Sequence, residues 1–103
     1  MYARLISFSG AAPEKRESAI EMIRGTVIPM LQAYEGFAGY IALYDQDNRR
    51  AKAIILWENR ETADAAEETL EERRRKMVDQ VGLRIESVDL YEVPVAELAG
   101  APV

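Results

Sequence analysis

The chain has 103 residues, room for one domain and no second. Its 13 basic and 18 acidic residues leave a net charge of −5, a surface that repels phosphate backbones and argues against a nucleic-acid partner. It contains neither cysteine nor histidine. Disulfides, thiol nucleophiles, thiolate or imidazole zinc ligands, a Ser-His-Asp triad and histidine-ligated haem are therefore excluded.

The apolar share of 49% is that of a globular domain. No apolar run is long enough to cross a bilayer, and no charged-then-apolar leader opens the chain. A soluble, unprocessed cytoplasmic protein is expected, without a membrane partner.

Tyr2 to Ser9 alternates large apolar with small or polar residues and predicts a strand, with Arg4, Ile6 and Phe8 on one side and Leu5 on the other. A loop at Ser9–Ala12 leads to Pro13, which suits the first turn of a helix because its missing amide hydrogen would be unpaired there. Ile20, Ile23, Val27, Met30, Leu31 and Tyr34 then recur at helical spacing. Pro29 predicts a kink or break near residues 25–28, and Gly36 a left-handed terminus.

Gly36 to Asp45 and Arg50 to Glu58 predict a hairpin across Asp45-Gln46-Asp47-Asn48. Both strands are apolar on both faces. Phe37, Ile41 and Leu43 alternate with Tyr40, Ala42 and Tyr44, and Ala53, Ile55 and Trp57 alternate with Ile54 and Leu56. A strand half-exposed to water keeps one polar face, so these need two covers.

Asn59 is the expected N-cap of a second helix, with Glu61 in its first turn, a stripe of Ala63, Ala66, Leu70, Met77 and Val81, and Gly82 closing it. Residues 83–93 predict a last strand whose apolar phase slips between Ile85 and Val88, the signature of a bulge or an edge. Residues 94–103 form a tail with no period of their own.

The order β-α-β-β-α-β predicts an α+β, ferredoxin-like fold with both helices on one face of a four-stranded antiparallel sheet. The β2 tyrosines are expected on the uncovered side. A second copy of the chain is the expected lid, making a homodimer through the sheet face.

Gly36-Phe37-Ala38-Gly39-Tyr40, entering the second strand after a proline-interrupted helix, resembles the dimeric α/β-barrel superfamily. So does Leu56-Trp57-Glu58-Asn59, and the branch resembled is the antibiotic-biosynthesis-monooxygenase (ABM) type of domain. The likeness spans residues 1–93, leaving 94–103 as a C-terminal tail. It implies homodimers whose sheets face each other. For some members it implies cofactor-free oxygenation of phenolic or polycyclic quinol compounds, and for others haem degradation. Trp57 matches the third-strand tryptophan that the resemblance places in a pocket between sheet and helices. The haem-degrading branch needs a histidine that this chain lacks, and asparagine occurs only at Asn48 and Asn59.

The ligand-binding candidates are Trp57, Ile20, Ile23 and Leu70, and the catalytic ones are Arg4 and Tyr40. Trp57 could stack an aromatic ligand or simply pack in the core. Arg4 could hold an anionic oxygen, or pair with Glu86, Asp89 or Glu92 on a neighbouring strand. Tyr2, Tyr40 and Tyr44 could donate to a pocket oxygen or sit at the dimer seam. Glu58 and Glu61 flank the strand-to-helix junction, where dipole complementation accounts for a glutamate without chemistry. Glu71-Glu72-Arg73-Arg74-Arg75-Lys76 is expected to be a solvated helix face with Glu71–Arg75 and Glu72–Lys76 pairs. Two functions stand: a cofactor-free, metal-free oxygenase of a small aromatic molecule, or a non-catalytic homodimeric ligand-binding or assembly module.

Overall fold

A computed structural model describes residues 1–100. Alternation yields strands where the period is two: β1 (Tyr2–Ser9), β2 (Phe37–Asp45), β3 (Arg50–Trp57) and β4 (Arg84–Glu92). They pair antiparallel in the order β2-β3-β1-β4, the ferredoxin-like sheet expected. No described helix is long and apolar enough to cross a membrane.

Pro13 opens a 3-10 turn (Pro13–Lys15) that runs into α1 (Arg16–Met22). Where Pro29 predicts a kink or break near residues 25–28, the helix carries a widened turn. Residues Ile23–Val27 form a π turn in which the Ile28 amide donates to the Ile23 carbonyl, and α2 (Ile28–Gln32) follows without interruption. The wider ring accommodates a residue that cannot donate and whose ring would crowd the carbonyl one turn back.

The second helix, α3 (Arg60–Val81), is capped as its sequence predicts. Asn59 Oδ1 accepts from the Thr62 amide at 2.9 Å, and Gly82 ends the helix at φ +73°. Gly36 adopts φ +82°, and a Cβ there would collide with Thr62. Both facts require glycine at the entrance to β2.

Two bulges set the faces of the sheet. In β4 the register slips where Ser7 and Phe8 oppose Ser87 and Ile85, as the slip in apolar phase foretold. In β2 an extra residue falls between Phe37, opposite Trp57, and Gly39, opposite Leu56. This second bulge moves Phe37 into phase with Tyr40, Ala42 and Tyr44 on the helix-facing side. The tyrosines therefore do not look outward as expected. The outward positions belong to Ile41 and Leu43.

The core lies between sheet and helices, around Ile6, Leu31 and Trp57, each about 1% exposed. Alanines at 63 and 66 let α3 approach the sheet closely, and Leu70 completes the layer. Enclosing each large side chain contributes about 1.5–3 kcal/mol. On the opposite side of the sheet, Ile41, Leu43 and Tyr91 are 36%, 45% and 53% exposed, beside half-buried Leu5 and Ile54. Residues 94–100 form no helix or strand, and the end of the expected tail, 101–103, lies outside the described residues.

Candidate functional site

A cavity of about 260 Å³ opens between the sheet and the helical layer. Its floor is Ile6 and Phe8 of β1 with Ala53 and Ile55 of β3, and its roof is Ile20, Ile23 and Val27 with Leu70 and Met77 of α3. The space exists because small side chains meet where large ones would fill it. Ala42 opposes Ala53, and Ala51 opposes Tyr44, across the β2–β3 pair.

Three half-buried polar residues belong to this apolar lining, Tyr40, Tyr44 and Arg74. Burial pushes the Tyr40 phenol up to about 12, with the nearby charge of Arg74 opposing. Tyr40 is thus a neutral donor over the whole physiological range and no base.

Arg74 is fixed by a bidentate pair, Nη1 donating to Glu67 Oε2 at 2.9 Å and Nη2 to Oε1 at 2.7 Å. Its side chain is only 10% exposed. Burial would raise the Glu67 carboxyl, but the hydrogen bonds and charge of Arg74, with the charge of Arg4, hold it below its ordinary value. Glu67 is therefore anionic, and Arg74 retains N–H groups beyond those it commits to the carboxylate.

Arg4 lies on the helix-facing side with Ile6 and Phe8, as read, but its partners are different. It meets Asp64 and Glu67 of α3, each at 3.7 Å, and its Nη2 donates weakly to the Ala63 carbonyl at 3.4 Å. Among the described residues no acid of β4 pairs with it: Arg4 stands opposite Leu90 and reaches across to α3 instead. Its Nε is buried without a hydrogen-bond partner, and Arg4 is not part of the cavity wall. It supports Glu67 from behind.

Of the ligand-binding candidates, Ile20, Ile23 and Leu70 line the cavity and Trp57 does not. Trp57 packs edge-on against Tyr34 and Phe37, at centroid distances of 6.3 and 6.0 Å. Tyr44 lines the cavity and Tyr2 does not. Glu58 and Glu61 are exposed away from it.

The residue missed by the sequence reading is Arg74. The run 71–76 is solvated at Glu71–Arg75 and Glu72–Lys76, whose exposed pairs close at 3.1 and 3.4 Å. Arg74 faces inward. The available signal was spacing: Arg74 stands four residues after Leu70, and so on the buried stripe.

The sequence matches no protein-family model and no curated protein. The fold does match solved structures. A putative antibiotic biosynthesis monooxygenase from Deinococcus radiodurans superposes with a TM-score of 0.70 at 12% identity, over 98% of this chain and 100% of that one. The ActVA-Orf6 monooxygenase of Streptomyces coelicolor, solved in complex with the ligand nanaomycin D, gives 0.66 at 12% identity over 96% and 92%. HapK from Hahella chejuensis gives 0.68 at 10% identity over 97% and 100%. The chain has the fold of ABM-type proteins.

Proposed function

We propose that this protein binds a phenolic or polycyclic quinol compound in the cavity and oxygenates it with dioxygen, without a bound cofactor. The observation that carries the reading is an apolar cavity whose lining includes a neutral phenol, Tyr40, and a positioned guanidinium, Arg74. The substrate's own oxygen would lie against Arg74, whose charge favours the phenolate over the phenol, with Tyr40 donating to the same oxygen.

The phenolate's ring carbon is electron-rich and couples to dioxygen. A phenol that becomes a quinone gives up a ring C–H and its O–H. One oxygen atom enters at that carbon, and the other leaves as water carrying both hydrogens. All four electrons come from the substrate. Among the described residues no aspartate or glutamate lines the cavity, and the chain has no histidine, so the phenolic proton passes to water at the open side.

The exposed apolar side of the sheet, with Ile41, Leu43 and Tyr91, is the surface we assign to a second copy of the chain. One observation favours the alternative of a non-catalytic homodimeric binding module: Glu67 already neutralises much of the Arg74 charge. Oxygen uptake on a panel of polycyclic quinols separates the two. Uptake above the no-protein rate, lost in Arg74→Gln, supports the oxygenase, and uptake equal to the blank sinks it for those compounds.

A further inference from the structure

Three basic side chains line the cavity on the helix-facing side, Lys15, Arg16 and Arg74, and among the described residues no aspartate or glutamate does. Lys52 also borders it, but its ammonium turns to Ser7 Oγ on the other face of the sheet, at 2.9 Å. This is the reverse of the chain's own balance of 18 acids to 13 bases. Of the three, Arg74 is already paired with Glu67.

Lys15 and Arg16 are exposed residues of the cavity wall, and neither has a carboxylate partner among the described residues. Each has another neighbour in the fold. The Lys15 ammonium reaches the C-terminal end of α3, where a Cβ on Gly82 would stand 3.2 Å from Nζ. The Arg16 guanidinium lies 5.4 Å from the centroid of the Tyr44 ring, and Tyr44 in turn donates to the Ala11 carbonyl at 3.4 Å. An arginine stacked on an aromatic face keeps its in-plane N–H groups available to an oxyanion.

We infer that the cavity takes an amphipathic organic anion, an aromatic acid whose ring system fills the apolar interior while its carboxylate rests at the rim between Lys15 and Arg16. The inference rests on the reading of this cavity as the ligand site, and it adds the charge of the ligand and its direction of entry. A carboxylate at the rim leaves the far end of the ring system toward Tyr40 and Arg74. Like-charged acids elsewhere on the surface would repel such a ligand, so the two rim cations also set where it enters.

The test is calorimetric titration with 2-naphthoate and its neutral isostere 2-naphthamide, on wild type and on Lys15→Gln/Arg16→Gln. The wild type should bind the acid about tenfold more tightly than the amide, and the double variant should hold the two within about twofold. Both substitutions are at exposed positions, and an unchanged far-UV spectrum checks the fold. On wild type alone, the preference should shrink as salt rises from about 20 to about 500 mM. Equal affinities in the wild type, no binding of either probe, a preference that survives the double substitution, or one indifferent to salt would overturn the inference. Oxygen uptake is a separate readout. Naphthoate binding with no quinol turnover leaves the ligand class standing and removes the oxygenase.

Discussion

Glu67 grips Arg74 with both carboxylate oxygens from two turns away on the same helix, at 2.7 and 2.9 Å. The pair turns a residue of a charge-rich run into a fixed cation at the wall of an apolar cavity. Arg4, at 3.7 Å from Glu67, approaches the carboxylate from the strand below. Glu67 is therefore the hub through which β1 and α3 share charge.

Removing Arg74 should expose how much that hub contributes. Arg74→Ala leaves Glu67 half-buried with only the longer Arg4 contact, and a loss of about 1–3 kcal/mol in urea unfolding at pH 7 is expected. The Glu67 carboxyl is held below its ordinary value. A depressed carboxyl contributes stability above its unfolded value, which is lost as pH falls through the folded one. The gap between wild type and Arg74→Ala should accordingly narrow below about pH 4. A gap that is constant from pH 7 to pH 3 would assign the loss to packing alone.

Tyr40 predicts the opposite pH dependence. Its phenol is pushed up to about 12 by burial. Between its unfolded and folded values the native state keeps a proton that the unfolded chain has released, so stability falls as pH rises from about 10 to 12. Tyr40→Phe has no proton to lose and should flatten that limb, with a difference on the order of 2 kcal/mol across it. Denaturant midpoints at pH 9, 10 and 11 measure this, and parallel curves for the two proteins would refute it.

Much of this architecture was legible in the sequence because it rests on local rules. Asn59, Gly82 and Gly36 mark helix ends through hydrogen-bonding and φ requirements that act within a few residues. The β4 bulge was visible because Ile85 and Val88 cannot share a face without one. The β2 bulge was not, because Ala38 and Gly39 carry no phase of their own and the strand is apolar on both sides. Every β2 tyrosine was therefore assigned to the wrong side.

The site was less legible for the same kind of reason. Which of three consecutive arginines turns inward depends on a carboxylate seven residues away, which matters only once α3 lies on the sheet. Trp57 drew attention by rarity, yet rarity does not distinguish a cavity wall from the aromatic cluster it joins with Tyr34 and Phe37.

Two glycines, one inside the π turn and one between α2 and β2, should respond in opposite directions. At Gly36 alanine meets both φ +82° and a clash with Thr62, so Gly36→Ala should cost about 2–4 kcal/mol. At Gly25, inside the π turn, an added Cβ meets nothing within 4 Å. Gly25→Ala should be neutral or stabilising by up to about 1 kcal/mol. Thermal unfolding of both variants decides it. A destabilised Gly25→Ala would mean that the π turn needs glycine's backbone freedom, not merely space.

The uncovered face of the sheet yields the last prediction. Ile41 and Leu43 stand in the open beside Leu5, Ile54 and Tyr91, and the covered face already holds both helical layers. If a second copy supplies the cover, sedimentation at micromolar concentration gives twice the 11.6 kDa of one chain. Ile41→Lys/Leu43→Lys would set four like charges against each other across a two-fold seam, which no rearrangement of side chains relieves. That variant should sediment as a single chain while keeping its far-UV spectrum, because neither side chain contributes to the core beneath the helices. A wild type that stays at the mass of one chain would remove the dimer. It would also leave the exposed strip of Ile41, Leu43 and Tyr91 in need of another partner.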